Sequence, residues 1–183
     1  MSSELGDKMK IVFLDIDGVV VSDKTNNVAI CKWYGTKTLS EAMKMQSKRK
    51  SDGLYVPKFM GTNSTFDPIA VGYMNALAKN GVQFVITSTW RESQTVASLQ
   101  VIFEMKGLHI PIFAFTSIDS NDRGVQILNW LKKPEAKSVT KWCVVDDYVS
   151  DILPHIDSEL VQTDPDVGFD ETAYNMVNEL LEL

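Results

Sequence analysis

Ile11-Val-Phe-Leu-Asp-Ile-Asp-Gly-Val-Val20 is an apolar run that delivers two carboxylates, one residue apart, and then a glycine. A strand buried on both faces reads as such a run, and open α/β sheets bind ligands beyond the carboxyl ends of their strands. Asp15 and Asp17 are therefore expected in a crevice. Residues i and i+2 of an extended chain share a face, so the two carboxylates should lie close together. At roughly 4 Å two like charges repel by about 1 kcal/mol in water and about 4 kcal/mol at an effective dielectric near 20. A divalent cation is the natural compensation, and Gly18 lets the backbone turn sharply beside it.

Lys141-Trp-Cys-Val-Val-Asp-Asp147 repeats this logic, an apolar strand ending in two acids. Between them, Val82 to Arg91 reads as a strand running into Thr87, Ser88, Thr89 and Arg91. Ile110 to Phe115 and Glu159 to Thr163 complete five expected strands. Helices are expected between them. Asp67-Pro68 opens one with Ile69, Tyr73, Ala76 and Leu77 on its apolar face, ended by Asn80-Gly81. Ser93 to Lys106 is the next. A third starts at Asn121 or Asp122, carries Val125, Leu128 and Leu131, and stops before Pro134. The last runs from about Asp170 and buries Tyr174, Val177 and Leu181. Alternating strands and helices predict an α/β fold, a three-layer, doubly wound parallel sheet, in one domain spanning 1–183.

One stretch differs from its surroundings. Val21 to Phe66 holds eight Lys and Arg against three Asp and Glu, a local charge of +5 in a chain of net charge −6. It reads as an irregular, basic, cap-like insertion at about 21–66, with a short helix over Ser40 to Lys50, approaching an anionic ligand. Trp33, Tyr34 and Tyr55, aromatics among cations, suit nucleobase and phosphate recognition.

The 183 residues, 44% hydrophobic and 23% charged, are ordinary for a soluble globular protein. The acidic balance argues against a general nucleic-acid coat protein. Cys31 and Cys143 are far apart and give neither a disulfide framework nor zinc spacing. His109 and His155 share no ligand spacing. With no long apolar run, a cytoplasmic protein without a membrane partner is expected, and no obligate protein partner is evident.

Together, Asp15-x-Asp17-Gly-Val, the hydroxyl after the second strand and Val144-Val-Asp-Asp147 resemble the first, second and fourth motifs of the haloacid dehalogenase (HAD) superfamily. The resemblance extends over nearly the whole chain. It implies a HAD-like Rossmannoid fold and a Mg²⁺-dependent phosphomonoesterase that works through an aspartyl-phosphate. Asp15 then matches the nucleophile and Asp17 the general acid/base. Mg²⁺ is assigned to Asp15, the backbone carbonyl of Asp17, and Asp146 and Asp147. Of that pair Asp147 matches the direct ligand and Asp146 the holder of a metal-bound water, an order that can be reversed, and Asp151 is a further candidate. Ser88 is the first choice for the phosphate-binding hydroxyl, with Thr87 and Thr89 as competitors. Arg91 suits a phosphate clamp, because its planar fork matches phosphate oxygens. Arg123 fits the basic residue of the third motif better than Lys132 or Lys133.

The Ser88-Thr-Trp-Arg91 turn, Arg123-Gly-x-x-Ile-x-x-Trp-Leu131 and Leu160-Val-Gln-Thr-Asp164 look like the small phosphatase modules of RNA-repair proteins and the phosphatase half of polynucleotide kinase/phosphatases. That resemblance implies a nucleotide or a nucleic-acid-end phosphate as substrate. No Gly-x-x-x-x-Gly-Lys-Ser/Thr loop is present, so no kinase half is expected. The competing expectations are a phosphatase of a small non-nucleotide metabolite and a catalytically silent phosphate-binding module. One departure from the family pattern stands out: the hydroxyl strand continues into Trp90-Arg91 where a small residue is usual.

Overall fold

Five strands, each paired in parallel with its neighbours, form the sheet of the computed structural model, which describes residues 8–38, 40–45 and 64–183. They are β1 (Met9–Leu14), β2 (Val82–Ile86), β3 (Ile112–Phe115), β4 (Val139–Asp146) and β5 (Leu160–Gln162), in spatial order β3-β2-β1-β4-β5. The chain builds outward from β1 to one edge and then returns to build the other. The crevice of such a sheet lies where the order reverses, between β1 and β4, at the carboxyl ends of the strands.

Alternation along the strands divides the core in two. Val12, Leu14, Phe84, Ile86, Cys143 and Val145 pack into one cluster, while Ile11, Phe13, Val85 and Val144 pack into the other. The first cluster is covered by three helices, α2 (Pro68–Lys79), α3 (Val96–Met105) and α5 (Glu171–Leu181). The second is covered by Ile127 and Trp130 of α4 (Arg123–Leu131), with Ile152 and Ile156. Trp130 meets Phe13 edge-on at a centroid separation of 5.4 Å. The result is the expected three-layer, HAD-like Rossmannoid α/β fold. Among the described residues no helix is long and apolar enough to cross a membrane.

Several local expectations change. Within the insertion, Asp23–Tyr34 is a regular helix, α1, where an irregular segment was expected. Ser22 caps it by accepting the Thr25 N–H, and Gly35, at φ +64°, closes it in the left-handed conformation. Residues 40–45 are helical; the remainder of the expected short helix, Gln46 to Lys50, lies outside the described residues, as do Tyr55 and Lys58. On α2 the buried face is Ala70, Met74 and Leu77, and Ile69 is 63% exposed. The face is rotated because nearly every side of this helix carries an apolar residue. The helix expected over Ser93 to Lys106 resolves into a 3-10 turn, Thr89–Glu92, followed by α3, whose cap Thr95 exchanges hydrogen bonds with Ser98. On α4 Ile127 and Trp130 are the fully buried apolar residues, and the expected Leu128 and Leu131 pack against the same cluster beside them.

Asp67 fastens the insertion at its base. Its carboxylate accepts the Ile69 N–H at 2.8 Å, capping α2. It also accepts the hydroxyls of Thr25 at 2.9 Å and Ser22 at 3.2 Å. Burial works against its charge, but these hydrogen bonds outweigh it and hold the carboxyl below its ordinary range.

Candidate active site

The ladder that fixes β1 between β2 and β4 also fixes the site. Leu14 lies opposite Ile86 on one side and Val145 on the other. Two further bonds, Thr87 N–H to Leu14 and Asp15 N–H to Val145, continue it one step. Asp15, Thr87 and Asp146 thus stand level at the carboxyl ends of three adjacent strands. By alternation they face the same side as Phe13, Val85 and Val144, the side on which α4 lies.

Carboxylate oxygens of Asp15, Asp146 and Asp147 lie within 4.8 Å of one another. Into this group reaches Arg123, the first residue of α4, which donates to Asp146 and comes within 3.4 Å of Asp15. Burial disfavours the charge on Arg123, yet Asp15 and Asp146 overrule it and its pKa lies above the ordinary value. Asp146 is fully buried; desolvation and the charge of Asp15 push it up to about 7 against the pull of Arg123 and the Tyr148 N–H. The same two causes raise Asp147. Three carboxylates facing one guanidinium leave a surplus of negative charge, and an all-oxygen donor set suits a hard divalent cation. The residues therefore fit a metal such as Mg²⁺.

The end of α4 that carries Arg123 is held firmly. Asp122 caps it through the Val125 N–H at 3.0 Å and also meets His155 at 3.1 Å. Asp151 accepts the Arg123 N–H on its carboxylate and the Gly124 N–H on its carbonyl, each at 3.1 Å. A side chain at Gly124 would run into His155 and the Asp151 carbonyl.

Gly18 sits at φ +75°, and the space where a Cβ would stand is taken by the Asp147 carboxylate. The turn of the first motif and the second acid of the fourth are packed directly against each other. Asp17 is exposed on this turn, and its Oδ2 accepts the indole N–H of Trp90 at 2.9 Å.

The residues after β2 divide by environment. Ser88 is buried and starts the 3-10 turn, its hydroxyl accepting the Trp90 N–H at 3.5 Å. Thr89 is exposed and lines a small polar cleft of about 170 Å³ with Arg91, Ser120, Asn121, Arg123 and Asp151. Thr87 is fully buried, and its hydroxyl has no hydrogen-bond partner among the described residues. Strand phase could have favoured it, because the pairing of Phe13 with Val85 puts Thr87 level with Asp15.

Arg91 is 7% exposed and all five of its N–H groups are engaged within the protein. Nε donates to the Thr116 carbonyl at 3.2 Å, and Nη1 donates to the carbonyls of Thr87 and, at 2.6 Å, Ser88. Nη2 donates to Gln126 Oε1 at 2.6 Å and to the Ser117 carbonyl at 3.5 Å. Burial, with help from the neighbouring charge of Arg123, lowers its pKa.

No curated protein matches the sequence significantly. Among solved structures, a HAD-superfamily hydrolase from Ehrlichia chaffeensis aligns with a TM-score of 0.47 at 16% identity, over 99% of both chains. A haloacid dehalogenase-like family hydrolase from Streptococcus pneumoniae aligns with a TM-score of 0.43 at 10% identity, over 93% of this chain and 90% of that one. The model of the HAD domain in Swiss Army Knife RNA repair proteins matches residues 11–174, from the first residue of the opening apolar run into α5. On that match the chain belongs to the family of HAD domains found in Swiss Army Knife RNA repair proteins.

Proposed function

We propose that the protein is a Mg²⁺-dependent phosphomonoesterase acting on a nucleotide or a nucleic-acid-end phosphate. The observation that carries this reading is the meeting of Asp15, Asp146 and Asp147 around the guanidinium of Arg123. Unaided phosphomonoester hydrolysis is among the slowest biological reactions, so such a site needs a nucleophile, a proton donor and charge compensation.

Asp15 attacks phosphorus and forms an aspartyl-phosphate. As the bond from phosphorus to the ester oxygen breaks, that oxygen takes the proton of Asp17 and departs as the alcohol. Asp17, now a carboxylate, then takes a proton from water while the water oxygen attacks phosphorus, releasing inorganic phosphate and restoring Asp15. Arg123 holds Asp15 and Asp146 in place and faces the phosphoryl oxygens. The hydroxyl of Thr87, unpartnered among the described residues, donates to one of those oxygens, with Ser88 as the alternative. Arg91 acts from beneath, fixing the turn that carries both. Asp15, Asp146, Asp147 and the Asp17 carbonyl would hold Mg²⁺, which would supply positive charge against the phosphoryl group.

Two features support the substrate class. The family is named for RNA repair proteins, and the +5 charge of residues 21–66 has the sign that a phosphorylated nucleic-acid end requires. The test is phosphate release from nucleoside 3′- and 5′-monophosphates, sugar phosphates and phosphorylated oligonucleotides, with Mg²⁺ or EDTA. Release that needs Mg²⁺ and is lost in Asp15→Asn is expected, with nucleotides or oligonucleotides preferred. Preference for sugar phosphates would replace the substrate assignment, and no release from any member would overturn the reading.

A further inference from the structure

We propose that Trp90 is a positioning residue for Asp17, and that its indole N–H determines how well the enzyme expels alcohols that leave poorly. The proposal rests on the phosphomonoesterase reading and on Asp17 as its acid.

The contact joins a fixed group to an exposed one. Trp90 is 2% exposed, and its ring packs against Phe66 at a centroid distance of 6.1 Å, Phe66 in turn against Phe103 at 5.6 Å. Its backbone N–H is received by the Ser88 hydroxyl, and its carbonyl accepts the Ser93 N–H at 3.4 Å. Its neighbour Arg91 pins the carbonyls of Thr87 and Ser88 just before it. The indole therefore cannot follow Asp17; Asp17 must follow the indole.

An indole has one polar hydrogen, and here it is spent on Asp17 Oδ2 at 2.9 Å. Hydrogen bonds to a charged acceptor are short and strong for their kind, enough to select one rotamer of an exposed side chain. Proton transfer requires the donor within hydrogen-bond reach of the ester oxygen, so an acid that samples several rotamers is in place only part of the time.

The experiment compares two phosphomonoesters on the full chain. In p-nitrophenyl phosphate the departing phenolate needs little protonation, whereas a nucleoside monophosphate must expel an alkoxide and depends on the acid. kcat/KM is the readout, because it covers only the steps through departure of the alcohol. The variants are Trp90→Phe and Trp90 replaced by benzothienylalanine, which keeps the bicyclic shape and lacks the N–H. Both are expected to lose about 10- to 100-fold in kcat/KM on the nucleotide, within the range of general acid catalysis, and about 3-fold or less on p-nitrophenyl phosphate. Equal losses on both esters, or wild-type behaviour of the benzothienyl variant, would overturn the role of Trp90 and leave the phosphatase reading intact. A wild-type protein inactive on both esters would instead remove the reading on which the proposal stands.

Discussion

Arg91 and Gln126 are joined inside the protein by a 2.6 Å hydrogen bond that ties the turn after β2 to the middle of α4. Both are buried, and Gln126 lies one helical turn from Arg123. The two cations thus divide the work. Arg123 faces the carboxylates, while Arg91 holds the scaffold from which Thr87, Ser88 and Trp90 project.

That division predicts the outcome of Arg91→Lys. A lysine has three donors on a single nitrogen and cannot reproduce a fork that serves four carbonyls and an amide. Stability should fall by about 2–4 kcal/mol, since buried carbonyls lose their partners. Denaturant unfolding measures it. Added phosphate should not restore the loss, because the missing contacts are internal.

Gly18→Ala tests the packing of the first motif on the fourth. A methyl group there would displace the Asp147 carboxylate, and the residue would also have to hold a left-handed φ of +75°. A stability loss of about 1–2 kcal/mol is expected from the backbone alone. Mg²⁺ affinity should fall about 10-fold or more, read by calorimetric titration.

Asp147→Asn separates stability from function. Burial and the charge of Asp15 raise the pKa of Asp147, so its ionised form is held at a cost to the fold. The metal-free variant should melt at the same temperature as the wild type or about 2 °C higher, the shift that roughly half a kcal/mol gives in a chain of this size. The wild type should be stabilised by Mg²⁺ and lose that gain in EDTA, by about 2.7 kcal/mol at a hundred times the dissociation constant. The variant should show no such gain. Thermal melts in Mg²⁺ and EDTA check both.

Asp67 predicts an acid-dependent clasp. Its folded pKa is depressed, so its contribution is fully present above the unfolded carboxyl value near 3.9 and is lost as pH falls through the lower folded value. Asp67→Ala should cost about 1–2 kcal/mol at pH 7, the usual worth of a helix cap with added hydroxyl partners. The gap between variant and wild type should narrow below about pH 4. Chemical denaturation across pH 3 to 7 would show it, and a constant gap would contradict it.

The sheet and its helices were legible because apolar runs ending in Asp or hydroxyl residues mark buried strands, and because Asp67-Pro68, Asp122 and Asp170 are plain helix caps. α1 was not legible. Its Thr-Asn-Asn stretch at 25–27 has neither an apolar stripe nor strong helix formers, and Ser22 and Gly35 mark its ends. The face of α2 was misphased in part, at Ile69, because tertiary contacts choose among several apolar sides. The surroundings of Arg91 are set by the carbonyls of Thr116 and Ser117, on a loop about 25 residues away, so no local pattern could show them. The partnership of Trp90 with Asp17, 73 positions apart, was hidden for the same reason.

Ser22 and Asp67 touch at 3.2 Å although 45 positions separate them, and the Asp67 N–H reaches back to the Val20 carbonyl at 2.8 Å. The excursion between them leaves and rejoins the sheet through a single doorway. The entropy of closing a loop rises only by about 0.6 kcal/mol for each doubling of its length. Changes of length beyond that doorway are therefore expected to cost the strands that hold Asp15 and Asp146 little, provided that Phe66, which packs on Trp90, is kept. Exchanging this one cassette is expected to change substrate preference while the strands that carry Asp15 and Asp146 stay in place, which the phosphate-release panel would check.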